Sequence, residues 1–346
     1  MAYTVGNEPL ISVIIDAYNY GCYIKDAINS VLQQTLPAEF YEIIVVDDGS
    51  QDDTRELVAK YLPGIVYLYK ENGGQASAFN AGIAVAKGEF VAFLDADDYW
   101  HREKLATVLE EFQESEDVDV VYHAQFLVDN AGVESGIFPE YFHMFVNEDP
   151  AEYFWQGKSP VFTATSGISF RMSAFKKMMP VPVDLRICAD AYFMAAAPLV
   201  ARRFSIIEKT LGYYRLHGSN IWAEDYLVKR SIESRISLID MQNSCYCHVE
   251  QLALRLGIDC SRVVNALKMQ MVLYHSLELK NLSGRWAAIK TIYRYKGLFH
   301  KINLRLKLFK ISTFALQSVL PARLFEQVLV LYRHSPLLWI VQRYVR

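Results

Sequence analysis

The pentapeptide Leu94-Asp95-Ala96-Asp97-Asp98 closes the run Glu89-Phe90-Val91-Ala92-Phe93. It sets three carboxylates at the mouth of what reads as a buried strand. In open α/β sheets, ligands bind outside the carboxyl ends of the strands. Hard divalent ions prefer carboxylate oxygens and leave positions open for substrate phosphates. The chemistry to expect there is a metal-held diphosphate. A second strand, Glu42-Ile43-Ile44-Val45-Val46, also ends in paired acids, Asp47-Asp48, before the turn residues Gly49-Ser50. Two acidic strand ends imply one shared nucleotide site, although Asp47, Asp48 and Asp53 taken singly could equally cap the next helix.

The elements that must position these acids alternate along the first 125 residues. Leu10 to Ile15 is nearly continuous apolar strand, and Ile24, Ala27, Ile28, Val31 and Leu32 recur at helical spacing until Leu36-Pro37. Strand 42–46, a helix from about Asp53 to Tyr61 and a short strand Ile65 to Tyr69 follow. Asn72-Gly73-Gly74 breaks the pattern. Ala76 to Ala86 reads as helix, stopped by Gly88. Such alternation with buried strands predicts a doubly wound, mostly parallel α/β sheet. The stretch from Asp117 to His217 is less regular: strands are expected at Val118–Tyr122, Gly167–Phe170 and Leu211–Tyr214, a helix at Ala189–Ala197, and aromatic loop over 130–160.

The 346 residues exceed one usual core, and 52% hydrophobic with 21% charged residues is a globular composition. No apolar stretch reaches the roughly 18 residues of a spanning helix and no secretory leader opens the chain, so a cytoplasmic location is expected. Five scattered cysteines fit a reducing compartment. Cys245-Tyr246-Cys247-His248 lacks a second ligand pair at zinc spacing and reads as incidental. The net charge of −4 conceals a strongly basic end: from Arg285 to Arg346, 12 Lys and Arg stand against one acid. Interleaved with Trp, Tyr, Phe and Leu, that stretch suits either peripheral contact with the cytoplasmic face of an anionic membrane or docking on the acidic body. Nucleic acid is not expected, since no recognition module accompanies the charge.

Four ordered segments resemble the family 2 glycosyltransferases: Ser12-Val13-Ile14-Ile15-Asp16-Ala17-Tyr18-Asn19; Ile44 to Ser50 with Asp53-Thr54; Asn72-Gly73-Gly74-Gln75-Ala76-Ser77-Ala78-Phe79-Asn80-Ala81-Gly82; and Phe93 to Asp98. Weaker echoes lie at Gly167–Arg171, Ala189-Asp190 and Tyr214-Arg215-Leu216-His217. The resemblance implies a glycosyltransferase A fold, Rossmann-like and flanked by helices. A catalytic domain is expected over 1–225, its nucleotide half at 8–125 and acceptor half at 126–225, before a helical C-terminal region at 226–346. The resemblance also implies inverting transfer of a sugar from a UDP-sugar to a hydroxyl of a glycan or lipid-linked acceptor, assisted by Mn2+ or Mg2+.

Carried over residue by residue, Asp97 and His217 would hold the metal and Asp98 would be a second-choice ligand. Asp95 would contact the ribose or the metal shell, and Ala96 would approach the nucleotide through its backbone. Asp48 would accept the uracil N3 proton over a floor of Ala17 and Tyr18. Gly74 and Gln75 would let the chain pass close to the nucleotide, with Asn80 bracing that loop. Asp190 would be the general base, although its usual acidic neighbour is replaced by Ala189, and Arg215 would add positive charge. Asp16 stands where the family usually has Pro, Thr or another uncharged residue. Two rival functions stay open: a silent nucleotide-sugar sensor or scaffold, which the loss at Ala189 would suit, and a nucleotidyltransferase. The latter lacks its glycine-rich basic loop, since residues 10–25 offer only Gly21 and Lys25.

Overall fold

The computed structural model describes residues 8–139, 149–157, 163–217, 220 and 232–268. The chain divides into two compact units, Met1–Ala151 with Pro160–Lys229, and Glu152–Ser159 with Arg230–Arg346. The expected boundary at 225 and the basic stretch from 285 onward lie outside the described residues. Residues 152–159, expected in the acceptor half, group instead with the C-terminal unit, where Phe154 is fully buried.

In the first unit the expected alternation forms as β1 (Ile11–Ala17), α1 (Ile24–Leu32), β2 (Tyr41–Asp47), α2 (Thr54–Ala59), β3 (Val66–Tyr69), α3 (Gln75–Val85) and β4 (Phe90–Asp95). The four strands are parallel in the order β3-β2-β1-β4. Strand β1 has a partner on each side and helices over both faces, which is why five of its seven residues are apolar. Beyond β4 the sheet is mixed rather than mostly parallel. The short β5 (Tyr99–Trp100), helix α4 (Lys104–Glu114), β6 (Val118–Val128), β7 (Glu134–Phe138), β8 (Ile168–Arg171) and β9 (Arg203–Arg215) continue the order as β4-β8-β6-β9-β5, with β7 hairpinned onto β6. Strand β8 runs antiparallel to both β4 and β6. Strand β7 occupies part of the stretch expected to be loop.

Two layers of helix hold this sheet. On one face Val13, Ile15, Ala17 and Leu94 pack with Ile24, Ala27, Ile28 and Val31 of α1. On the other, Gly82 of α3 lies against Ile14 and Val46. There Phe93 packs edge-on or tilted against Phe79, Phe170, Phe175 and Phe193, with centroids 5.0–6.4 Å apart. Phe175 belongs to α6 (Met172–Met178) and Phe193 to α7 (Asp190–Val200). Each such ring contributes roughly 1.5–3 kcal/mol by burial, so α7 is fixed against the strand that ends in Asp95.

Helix α5 (Pro150–Trp155) precedes α6 in the chain. In the second unit α8 (Ile232–Arg255) leads to a further helical stretch at 261–268, where Lys268 pairs with Glu250 at 2.7 Å. No helix among the described residues is long and apolar enough to cross a membrane.

Candidate active site

The parallel register aligns the strand ends. Asp16 lies opposite Asp95 across β1 and β4, and Ala17 lies opposite Asp47 across β1 and β2. Asp47 turns away to brace the scaffold, accepting from the Tyr67 hydroxyl and the Ser50 N–H, each at 2.7 Å. Asp48 is buried and holds the following loop: its oxygens accept from the N–H groups of Gly73 and Gly74 (3.0 and 2.6 Å) and from Lys70 Nζ (2.5 Å). Ala17 is buried, whereas Tyr18 is 44% exposed at the strand end.

Three side chains converge on Asp97. His217 Nε2 lies 2.9 Å from Asp97 Oδ2, Asn220 Nδ2 reaches the same oxygen at 3.4 Å, and the Tyr20 phenol also bonds to it. The imidazole stacks on Tyr23 at 4.9 Å, and the Arg215 guanidinium covers Tyr23's ring, also at 4.9 Å. Arg215 spends its charge on Asp26 (2.8 Å) and on the carbonyl of Asp97 (2.9 Å). It steadies the loop from behind, where extra positive charge for a ligand had been expected. Asp98 points inward to the Ser166 hydroxyl (2.6 Å), Gln125 Nε2 (3.3 Å) and the Arg215 N–H (3.0 Å). Burial, then the charge on Asp97, push it up to about 8.

Asp190 opens α7. Its Oδ1 accepts from the Ala191 N–H at 2.9 Å, and Thr165 also bonds to it. Burial pushes its carboxyl up to about 6. Gln75 connects it with the strand ends: Nε2 donates to Asp95 Oδ1 (3.1 Å), while Oε1 accepts the Ala189 N–H (2.9 Å). A backbone N–H can only donate, so this contact fixes which way the amide faces. The acids crowd one another. Asp95 is raised well above the usual carboxylate range by burial first, then by Asp16, Asp98, Asp97 and Asp190. Asp16 reaches about 7, chiefly through burial.

Three sequence expectations change. A side chain at Gly74, whose φ is +85°, would meet Arg186 Cα at 2.5 Å. The glycine therefore admits the chain leading into α7. Asn80 does not brace the Gly74 loop, because both its amide atoms bond to the backbone of Val181 (2.8 and 2.9 Å). The N–H of Ala96 is taken by the Asp16 carbonyl (3.2 Å), which leaves its C=O for any ligand. Sequence reasoning missed Tyr20, Thr165, Ser166 and Asn220. The last stands three residues past His217, a spacing too common to single it out.

Among the described residues, no group of three His, Cys, Asp or Glu is already placed to hold an ion. The donor set nevertheless suits a hard divalent cation. Carboxylate oxygens are its preferred ligands, and the charges of Asp16, Asp98, Asp97 and Asp190 all bear on Asp95. Asp97 Oδ2 and His217 Nε2, 2.9 Å apart, have about the separation of two adjacent ligands near 2.1 Å from one ion.

The model of the "Glycosyl transferase family 2" matches residues 12–179. An uncharacterised glycosyltransferase of Nostoc sp. is 33% identical over 89% of this chain and 97% of its own length. The poly(ribitol-phosphate) beta-N-acetylglucosaminyltransferase TarS of Staphylococcus aureus is 28% identical over 70% of this chain and 42% of its own. A crystal structure of TarS with UDP superposes with a TM-score of 0.50 at 22% identity, covering 83% of this chain and 91% of that one. The mannosyltransferase PcManGT of Pyrobaculum calidifontis, solved with GDP-Man and Mn2+, gives 0.54 at 17% identity over 98% and 85%. These two share the fold. With the four ordered motifs, the acidic strand ends and a relative matched almost end to end, the chain belongs to glycosyl transferase family 2.

Proposed function

We propose that this glycosyltransferase is metal-dependent and inverting, and that it transfers a sugar from a UDP-sugar to a hydroxyl of a glycan or lipid-linked acceptor. The observation that carries the reading is the Gln75 bridge, which ties the Asp95–Asp97 loop to the helix that begins with Asp190. Donor-side acids and a separate carboxylate are thereby held as one unit.

In this reading Asp48 accepts the uracil N3–H beside the loop it already organises, and the exposed Tyr18 ring covers the base over Ala17. Asp95 takes the ribose. Asp97 and His217 hold Mn2+ or Mg2+, which when bound supplies the charge that neutralises the departing diphosphate. The acceptor oxygen attacks the anomeric carbon from the face opposite the diphosphate. The new C–O bond forms as the old one breaks, UDP leaves with that bonding pair, and the hydroxyl proton passes to Asp190. A carboxyl near 6 is largely ionised at pH 7 and still basic enough to accept it. The name of TarS, a transferase onto poly(ribitol-phosphate), supports a polymeric hydroxyl acceptor. The basic, aromatic stretch 285–346 supports a cytoplasmic enzyme resting on an anionic membrane.

The test is UDP release from a panel of UDP-sugars by the full chain. Slow release with Mn2+ or Mg2+, abolished by EDTA and accelerated by an acceptor, is the expected result. Saturable UDP binding without turnover on any donor and acceptor would instead favour the sensor.

A further inference from the structure

The second unit holds a thiol and an amine in contact, outside the residues assigned a task above. Cys247 and Glu250 stand three residues apart on α8 and so face the same neighbour. That neighbour is Lys268, in the helical stretch at 261–268. Its Nζ lies 3.3 Å from Cys247 Sγ and 2.7 Å from Glu250 Oε2. A lysine ordinarily keeps its head in water, and burying a charge is costly unless it is paired. Here the lysine side chain is 5% exposed, with a carboxylate and a sulfur at its nitrogen.

The cysteines differ in their access to an oxidant. Cys188, Cys245 and Cys260 are buried, whereas Cys247 is half-buried and Cys22 exposed. Burial pushes the Cys260 thiol up, with Glu250 and Asp259 adding to the effect, so it stays protonated and inert. Cys22 lies beside Tyr23 and Asp52. Among the described residues, Cys247 is the thiol that combines access to solvent with an amine in contact. That contact sets the fate of an oxidised sulfur, because a sulfenic acid condenses with a nitrogen nucleophile that reaches it before further oxidation.

We propose that Cys247 and Lys268 form a redox-sensitive pair, which a peroxide joins by a sulfur–nitrogen bond that fastens α8 to the helix after it. First the sulfur attacks one peroxide oxygen. An S–O bond forms, the O–O bond breaks, the sulfur gives up two electrons and water leaves. The lysine nitrogen, its extra proton passed through Glu250 to solvent, then attacks the sulfenic sulfur. An S–N bond forms, the S–O bond breaks, and a second water leaves with one proton of the amine. The product is a sulfenamide that closes a loop of 21 residues and so restricts the unfolded chain. A thiol reductant reverses it: a mixed disulfide replaces the S–N bond, and the amine is released with the reductant's proton.

The experiment treats the full chain with hydrogen peroxide, then maps its peptides by mass spectrometry before and after dithiothreitol. The variants Cys247→Ser and Lys268→Arg are run in parallel. Arginine keeps the charge beside Glu250 but is never a neutral nucleophile, and circular dichroism checks that the variant is folded. The native chain should give a Cys247–Lys268 linked peptide, lighter by two hydrogens than its two parts and cleaved by the reductant. Neither variant should give it, and in Lys268→Arg a dimedone probe should trap Cys247 as the sulfenic acid. Oxidation of Cys247 to the sulfinic acid in the native chain without a link overturns the proposal. So does a disulfide between Cys247 and Cys260. A linked peptide heavier by one oxygen overturns the direct S–N bond.

Discussion

Gln75 Oε1 accepts the backbone N–H of Ala189 at 2.9 Å, across 114 residues of sequence. Because its other amide atom is on Asp95, the first residue of α3 sets the distance between the acidic loop and the start of α7.

Breaking that bridge should separate turnover from binding. In Gln75→Ala, kcat is expected to fall about 10- to 100-fold, the scale of a misplacement near 1 Å. The dissociation constant for UDP should change only a few-fold. Gln75→Glu should be worse than alanine, because it removes the donor and adds an acid beside Asp16 and Asp95. Steady-state kinetics with parallel calorimetry checks both.

Asp190→Asn should lower transfer by about 10²–10⁴, the range of a general base, and leave UDP binding intact. In the native enzyme the acid limb of kcat should sit near pH 6, where burial places this carboxyl. Activity is lost as the pH falls through that value, since the protonated form cannot accept the acceptor's proton. A profile flat down to pH 5 would move the base elsewhere.

Stability without divalent ions should fall as the pH rises from about 4 to about 8. Asp190, Asp16 and Asp98 are raised to about 6, 7 and 8 from an ordinary value near 3.9. Within that window the folded chain therefore binds more protons than the unfolded one, and each deprotonation weakens it. Melting curves in EDTA should show the decline, and Asp16→Asn should flatten it.

Gly74→Ala should destabilise the first unit by about 1–3 kcal/mol. Its φ of +85° disfavours a side chain, and the new methyl would meet the Arg186 backbone. Denaturant unfolding of the variant against the native chain measures this.

The parallel half of the sheet was legible because buried strands such as Ile11–Ala17 and Phe90–Asp95 are nearly unbroken apolar runs, and their acids stand at the run ends. The mixed half was not. Strand β6 runs on to Val128, well past the expected Tyr122, and β7 hides in a loop-like stretch with three of its five residues polar or glycine. The site divides in the same way. Asp48, Asp97 and Asp190 carry local motifs, whereas Tyr20, Thr165 and Asn220 serve them only through folding across long separations. Gly74 shows the limit most plainly: a glycine announces a close approach, but only the fold reveals Arg186 as the chain that makes it.

The most direct measurement is calorimetric titration of UDP into the full chain with Mn2+, repeated in EDTA and with Asp97→Ala. Saturable binding that is lost in both repeats is expected if Asp97 and His217 hold a cation on the diphosphate. Binding of equal affinity in EDTA or in the variant would contradict it.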